Sequence, residues 1–192
     1  VREYYHNDVG EQVRKLGESI VNVAAGEKLE DQEYKGEYIL ELVKKVNRIK
    51  SAQKVGEQAV ELILAEIEAD CRAMGITFDK IYPESGFVSG GDTKKSLDLL
   101  ERGGFLKKQE GATWFAPHMR SGQAPNDEFL KDRETVVIKS DGSFTYFAND
   151  IAYHNLKFSE GYDLVVDIFG ANHHGHVPRL QAVIKALGYD VS

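Results

Sequence analysis

The sequence predicts an α/β fold with a parallel sheet and a mainly helical insertion. The strongest observation is the apolar run Leu164 to Phe169, which Gly170 bounds and which is typical of a buried strand. A short polar crossing leads from it into a helix that ends at Gly188. The apolar positions of that helix recur at helical spacing, namely Val177, Leu180, Val183, Ile184 and Leu187. Another strand and helix open the chain, and a helical pair follows them.

The first 75 residues combine a short strand with three helices. Residues 1–5 predict the strand, and Asn7 or Asp8 can cap the helix that follows. Capping and turn formation explain this pair better than a place beside an active site, because both side chains satisfy free amide groups well. The apolar helix faces carry Val13, Leu16, Ile20 and Val23, then Tyr38, Ile39, Leu42, Val43 and Val46, then Val55, Ala59, Leu62, Ile63, Ile67, Cys71 and Met74. Gly75 ends the third helix, and we interpret residues 26–75 as a mainly helical insertion.

Residues 76–192 are predicted to form the α/β half of the chain, which carries the substrate pocket. Asp141-Gly142 is a strong turn signal and predicts a β-hairpin between two flanking strands. The remaining elements follow from short apolar runs and glycine stops. We expect strands at 76–82, 111–117, 135–138 and 144–147, helices at 94–102 and 149–158, and a loop at 118–131.

The composition limits the size of the core and the kinds of partner. With 192 residues, of which 42% are hydrophobic, the chain can bury one substantial core or two small ones. A net charge of -7 and a pI near 5.4 give no overall basic surface for nucleic acid or acidic lipid. Cys71 is the single cysteine, and no apolar run reaches membrane-spanning length or resembles a signal peptide. We therefore expect a cytoplasmic protein, and because the chain begins at Val1 we expect a piece of a longer one.

Tyr146 and Asp150 form the first candidate site, because they are four residues apart and can face one pocket. A carboxylate there can pair with a cation, and a guanidinium suits it best because its fork of donors matches two carboxylate oxygens. Two structural alternatives stay open. Asp150 can cap a helix, and Tyr146 can be a core aromatic with a hydrogen-bonded hydroxyl.

The second candidate site is the run His173-His174-Gly175-His176, between the predicted strand and helix. A nucleotide can bind there, because backbone amides and the dipole at a helix start favour phosphate. Zinc is an alternative, although the usual ligand spacings differ and Cys71 is the single thiol. A third possibility is that some of these histidines are solvated or make local caps.

Five separated stretches of the chain carry distinctive motifs. They are Arg2 to Gln12 (REYYHNDVGEQ), Ile76 to Asp79 with Glu84-Ser85, Gly111 to Trp114 (GATW), Lys139 to His154 (KSDGSFTYFANDIAYH), and Gly170 to Arg179. In this order, they resemble successive landmarks of arginyl-tRNA synthetases of the bacterial type. The resemblance is specific because independent motifs agree over nearly the whole chain, and residues 26–74 are its least distinctive part.

The resemblance implies part of a class I synthetase catalytic core, a Rossmann-like parallel sheet that activates L-arginine with ATP and Mg²⁺ and passes it to tRNA-Arg. It assigns Tyr146, Asp150 and His173 to arginine, and Gly170, Asn172, His173 and His174 to ATP. Asn172 stands where the family's aspartate is expected. Loss of a charge-assisted bond at this position predicts weaker ribose binding. The resemblance assigns no catalytic residue and no metal ligand here, and it implies a monomer without membrane contact.

Both phosphate-handling signatures of class I synthetases are expected outside this chain, His-Ile-Gly-His before Val1 and the mobile lysine signature after Ser192. The run from His173 to His176 reads His-x-Gly-His, but too few residues follow it to build half a sheet. Adenylate formation depends on electrostatic stabilisation of the phosphate, so we expect the isolated chain to be inactive. Two other function classes stay open: a non-catalytic arginine- or nucleotide-binding module, and a metallohydrolase that uses the histidine cluster.

Overall fold

The fold is given by a computed structural model, which describes residues 1–46, 51–117, 134–171 and 175–191. It divides into two compact units, Val1–Gly86 and Phe87–Ser192. Within the described ranges, no helix is both long and apolar enough to cross a membrane.

The first unit contains a two-stranded parallel sheet and three longer helices. Its elements are β1 (Glu3–His6), α1 (Glu11–Ala24), a 3₁₀ turn (Leu29–Asp31), α2 (Tyr38–Lys45), α3 (Ala52–Ala73) and β2 (Lys80–Pro83). Strand β1 pairs in parallel with β2, so that Tyr4 lies opposite Ile81 and Tyr5 opposite Tyr82. The three predicted helices are confirmed, and the strand predicted to begin at Ile76 begins at Lys80.

Helices α1 and α3 cross so closely that glycine is required on both of them. A methyl group on Gly17 would lie 1.8 Å from the carbonyl oxygen of Ala52. One on Gly56 would lie 2.0 Å from the carbonyl oxygen of Val13. Backbone therefore packs directly against backbone at this crossing. The core around it consists of Leu16, Ile20, Ile39, Leu42, Val46, Val55 and Ala59.

The turn after β1 uses its aspartate differently from the prediction. The Asp8 carboxylate accepts hydrogen bonds from the Ser85 backbone N–H, at 2.8 Å, and from the Ser85 hydroxyl. It therefore joins the end of β1 to the start of a short helix, α4 (Glu84–Ser89). Helix α1 instead follows Gly10, whose φ is 92°, and no side chain caps it. The predicted capping by Asn7 or Asp8 is wrong, because the Asp8 carboxylate binds a partner 77 residues away in the chain.

The second unit packs helices against an antiparallel sheet in the order β3-β4-β5. Its elements are α5 (Asp92–Arg102), β3 (Leu106–Gln109), β4 (Ala112–Phe115), β5 (Thr135–Ile138), α6 (Tyr146–Ser159) and α7 (Val177–Ala186). The core lies between the sheet and the helices and consists of Leu97, Leu100, Phe115, Val137, Phe147, Ala148, Ile151, Leu180, Val183 and Ile184. Strand β3 was not predicted, and it reaches β4 through Glu110 and Gly111, whose φ angles are 53° and 77°.

The apolar run Leu164 to Phe169 is not a strand, contrary to the prediction. Residues 164–170 have no regular secondary structure, and Ile168 is 94% exposed. A strand needs a neighbour that takes its backbone hydrogen bonds, and the described strands of this unit belong to the antiparallel sheet. The expected α/β class is confirmed as a mixture of helices and strands, in which the described residues form one parallel strand pair. A Rossmann-like core is not confirmed.

The hairpin predicted around Asp141-Gly142 is half correct. Strand β5 forms its first arm, and Gly142 adopts a φ of 83° in the turn. The second arm is reduced to a single antiparallel bridge between Phe144 and Ile138. Helix α6 then begins at Tyr146, three residues earlier than predicted.

Thr145 is the physical reason why a helix replaces the second arm. Its hydroxyl accepts a hydrogen bond from the backbone N–H of Ala148 at 3.3 Å, which is the bond of a helix N-cap. The same hydroxyl donates to the carbonyl oxygen of Val136 at 2.9 Å. One side chain therefore starts α6 and ties it to β5.

Candidate functional site

Helix α6 brings Tyr146 and Asp150 together, as the sequence predicts. The two residues are one helical turn apart, so their side chains project from the same face. Thr145 is the cap of this helix, which makes the alternative that Asp150 is a helix cap wrong. Tyr146 is not a core aromatic either, because it is 60% exposed. An exposed ring and a carboxylate therefore share one helix face near the start of α6.

The carboxylate of Asp150 is paired with His176, the last histidine of the run His173 to His176, in a contact that the sequence does not predict. Its Oδ2 lies 2.9 Å from Nε2 of His176, the residue before α7. The Asp150 side chain is 19% exposed and the His176 side chain 13%. A carboxylate is an acceptor, so Nε2 carries the hydrogen in this contact. The site therefore presents a largely buried carboxylate with one oxygen engaged by an imidazole.

Two aromatic rings hold the imidazole of His176. The ring of Tyr146 stacks on it at a centroid distance of 6.1 Å and an interplanar angle of 25°. Phe147 contacts it edge to face at 5.2 Å and 87°. Residues on the first turn of α6 thus surround a planar nitrogen-containing ring. The sequence places His176 in the candidate histidine run at the start of an amphipathic helix, but it gives no signal for the contact with Asp150.

A second polar cluster lies on α6 one to two turns after Asp150. Asp167 accepts a hydrogen bond from Nζ of Lys157 and lies 3.5 Å from Nε2 of His154. Lys157 also lies over the ring of Tyr153, at 4.5 Å. Burial of Asp167 works against its charge, but the nearby imidazole of His154 and the hydrogen bond from Lys157 outweigh burial and lower its pKa to about 2. Asp167 therefore attaches the irregular segment 164–170 to helix α6 through Lys157.

Hydrogen bonds between helices α5 and α6 hold in place the helix that carries Asp150. Thr93 donates to Oδ1 of Asn149 at 2.9 Å, and both side chains are buried. Asn155 donates to the hydroxyl of Ser96 at 3.1 Å. Because buried polar groups are costly when unpaired, these contacts fix how α6 sits on α5. The helix that carries Asp150 is thereby held in one position.

Most of the predicted nucleotide-binding residues lie outside the described residues. This applies to Asn172, His173 and His174. Gly170 is described and is exposed at the end of the irregular run. Within the described ranges, no group of three or more His, Cys, Asp and Glu side chains could hold a metal ion. The zinc hypothesis depends on His173 and His174, so it is not tested.

Comparison with known proteins gives relatives along the whole chain, although no family model matches it. An arginine–tRNA ligase of Citrifermentans bemidjiense is 36% identical over 207 residues, which cover 100% of this chain and 36% of the relative. An arginine–tRNA ligase of Oleidesulfovibrio alaskensis is 37% identical over 201 residues, covering 97% of this chain and 35% of the relative. The chain thus spans little more than a third of the length of these relatives.

The structural comparison agrees with the sequence comparison. A crystal structure from Campylobacter jejuni, described as an arginyl-tRNA synthetase, matches 98% of this chain and 42% of its own, with a TM-score of 0.78 and 31% identity. Arginyl-tRNA synthetase from Plasmodium falciparum matches 96% of this chain and 33% of its own, with a TM-score of 0.61 and 17% identity, which shows similarity of fold alone. Over its whole length, the chain is therefore a homologue of one segment of the arginyl-tRNA synthetases, and the family resemblance read from its sequence is confirmed.

Proposed function

We propose that this chain is the segment of an arginine–tRNA ligase that recognises L-arginine. The parent protein would activate arginine with ATP and transfer it to tRNA-Arg in the cytoplasm. The observation that carries the proposal is the joint position of Tyr146 and Asp150 on one face of α6, beside the ring of His176. Residues 26–75 are proposed as a helical insertion of this incomplete catalytic domain.

Guanidinium chemistry fits this pair of side chains. A carboxylate that is four-fifths buried is poorly solvated, so a cation with directed N–H groups gains more from it than from an exposed one. The exposed ring of Tyr146 offers a face on which a planar guanidinium can stack. His176 shows the same two contacts with a planar ring of similar chemistry. The pocket therefore favours arginine over lysine.

The chain's part in the reaction is binding and orientation. Asp150 and Tyr146 would hold the side chain of arginine, and Gly170, Asn172, His173 and His174 are proposed to contact ATP, with His173 also near arginine. ATP brings Mg²⁺ with it, and bound Mg²⁺ would offset phosphate charge. The residues that the structure describes offer no cluster of protein ligands for this ion, so we assign none.

Replacing Asp150 with Asn tests the pocket directly. We expect the variant to lose about thirtyfold in arginine affinity, because an amide keeps the size of the carboxylate but loses the charge-assisted bond. Isothermal titration calorimetry of the 192-residue chain with arginine, lysine and citrulline measures this effect. Arginine should bind most tightly, since citrulline keeps the shape of arginine without its charge and lysine lacks the planar fork.

Asp98→Asn is the matched control, because Asp98 pairs with Lys94 on the surface of α5. This variant should bind arginine like the unmodified chain. Equal affinities for arginine and lysine, or an unchanged affinity after Asp150→Asn, would contradict the proposed pocket.

The isolated chain should show no measurable exchange between ATP and pyrophosphate. Neither class I signature occurs in its 192 residues, apart from the His173 to His176 run rejected above, so the groups that stabilise the reacting phosphate are missing. The full-length ligase of Citrifermentans bemidjiense, assayed in parallel, provides the positive control. Robust exchange by the 192 residues alone would show that they carry the whole activating site.

Asn172 allows a test of the proposed ATP contact. In a full-length ligase that carries this segment, Asn172→Asp should tighten ATP binding, because a carboxylate accepts a stronger hydrogen bond from a ribose hydroxyl. The KM for ATP measures the effect, with the KM for arginine as an internal control. An unchanged KM for ATP would exclude Asn172 from ribose recognition.

A further inference from the structure

His176 makes contacts that the proposed binding roles do not explain. We propose that it is a positioning residue, which fixes the Asp150 carboxylate for the guanidinium and stays in place when arginine binds. This inference rests on the proposed recognition of arginine. It adds a residue to the pocket that acts through Asp150 and not by contact with the ligand.

The hydrogen bond from His176 restrains the Asp150 carboxylate. His176 Nε2 donates to Oδ2 of Asp150 at 2.9 Å, which restrains rotation of the carboxylate about its side-chain bonds. The backbone of Asp150 is held as well, because Nδ1 of His154 lies 2.7 Å from its carbonyl oxygen. A ligand-binding carboxylate that is restrained before binding loses less entropy when the ligand arrives. His176 thereby prepares Asp150 for its ligand.

The imidazole of His176 cannot leave its place without disturbing the core. Its side chain is 13% exposed, and it packs edge to face on Phe147, which is 2% exposed and belongs to the core of the unit. Moving the ring would uncover Phe147 and leave a gap beside it, which is unfavourable. The structure therefore favours a histidine that remains in the bound state over one that arginine displaces.

The backbone of His176 is fixed by the first turn of α7. Its carbonyl oxygen accepts hydrogen bonds from the backbone N–H groups of Arg179 and Leu180, each at 3.1 Å. These bonds form the first turn of α7, and Leu180 belongs to the same core as Phe147. The imidazole thus links the starts of two packed helices through the Asp150 carboxylate. Because its backbone is fixed in this way, the His176 side chain is suited to orient the Asp150 carboxylate.

Two substitutions separate the hydrogen bond from the packing of the ring. His176→Phe keeps a ring between Tyr146 and Phe147 but removes the N–H donor. His176→Gln keeps a donor near the Asp150 carboxylate but removes the ring. Because the proposed role depends on the donor, we expect arginine affinity of the 192-residue chain to fall about tenfold in the phenylalanine variant and less than about threefold in the glutamine variant.

Nuclear magnetic resonance of the unmodified chain gives a readout that needs no variant to fold. The stacked ring of Tyr146 and the edge-to-face ring of Phe147 shift the ring protons of His176 away from the values of a solvated histidine. We expect these shifts to persist as arginine saturates the pocket. Movement of the ring signals to solvated values would overturn the positioning role, because the ring would then have left Asp150.

The outcomes also distinguish this inference from the proposed function. Arginine binding that depends on Asp150 but is unchanged in His176→Phe would leave the pocket standing and overturn the role of His176. Absence of any arginine binding that depends on Asp150 would overturn the pocket, and the positioning role with it. Weakened binding in His176→Phe, recovery in His176→Gln and persistent ring shifts together support both.

Discussion

Gly56→Ala is expected to lower the free energy of unfolding by about 3 kcal/mol or more, because the crossing of α1 and α3 has no room for a methyl group. The added carbon would lie 2.0 Å from the carbonyl oxygen of Val13, which is backbone and cannot turn aside as a side chain can. The helices would have to separate, and the core formed by Ile20 and Val55 would loosen with them. Chemical denaturation followed by circular dichroism measures the change.

Gly86→Ala is the matched control for this prediction. A methyl group there would meet Pro83 at 3.8 Å, an ordinary van der Waals distance. This variant should stay within about 0.5 kcal/mol of the unmodified chain. Equal stability of the Gly56 and Gly86 variants would show that the two helices do not approach as closely as the structure indicates.

Asp167→Asn is expected to reduce stability by about 2 kcal/mol. The substitution leaves Lys157, which is 7% exposed, without its anionic partner, and breaking a buried pair costs several kcal/mol. The expected loss is smaller than that of a fully buried pair, because a quarter of the Asp167 side chain is exposed and water screens the pair. Denaturant titration at neutral pH measures the loss, and Asp163→Asn, an exposed carboxylate in the same connecting segment, is the control.

The same ion pair predicts how stability depends on pH. Asp167 has a pKa lowered from 3.8 to about 2 in the folded chain, so folding favours its charged form. Its contribution is therefore complete above about pH 4 and is lost as the pH falls toward 2. The acid side of a stability profile should be flatter between these values in Asp167→Asn than in the unmodified chain. Parallel profiles would show that Asp167 does not bind Lys157 and His154 in solution.

The helices were predictable because their signals are local. The apolar spacing of Val55, Ala59 and Ile63 is enough to indicate the inner face of α3, whichever element it packs on. The closeness of its crossing with α1 was not predictable. Gly17 and Gly56 carry no periodic signal, and their role exists only where two helix backbones meet.

The strands show the limit of local signals. An apolar run such as Leu164 to Phe169 indicates a preference for burial, but a strand forms only when a second strand accepts its hydrogen bonds. The described residues of its unit supply no such partner, and four of its apolar side chains are exposed, namely Leu164, Val166, Ile168 and Phe169. A strand was also predicted at residues 144–147, but the Thr145 hydroxyl caps a helix that begins at Tyr146.

The candidate site was likewise only partly predictable from the sequence. The four-residue spacing of Tyr146 and Asp150 and the family resemblance were readable from the sequence, but the prediction placed Tyr146 at the end of a strand. The structure places both residues on one face of α6, one helical turn apart. The contact between Asp150 and His176 joins residues 26 positions apart on two helices, and it arose from the packing of the core around Phe147. Chemical identity and short-range spacing are properties of the chain, whereas partners across space depend on how its helices come together.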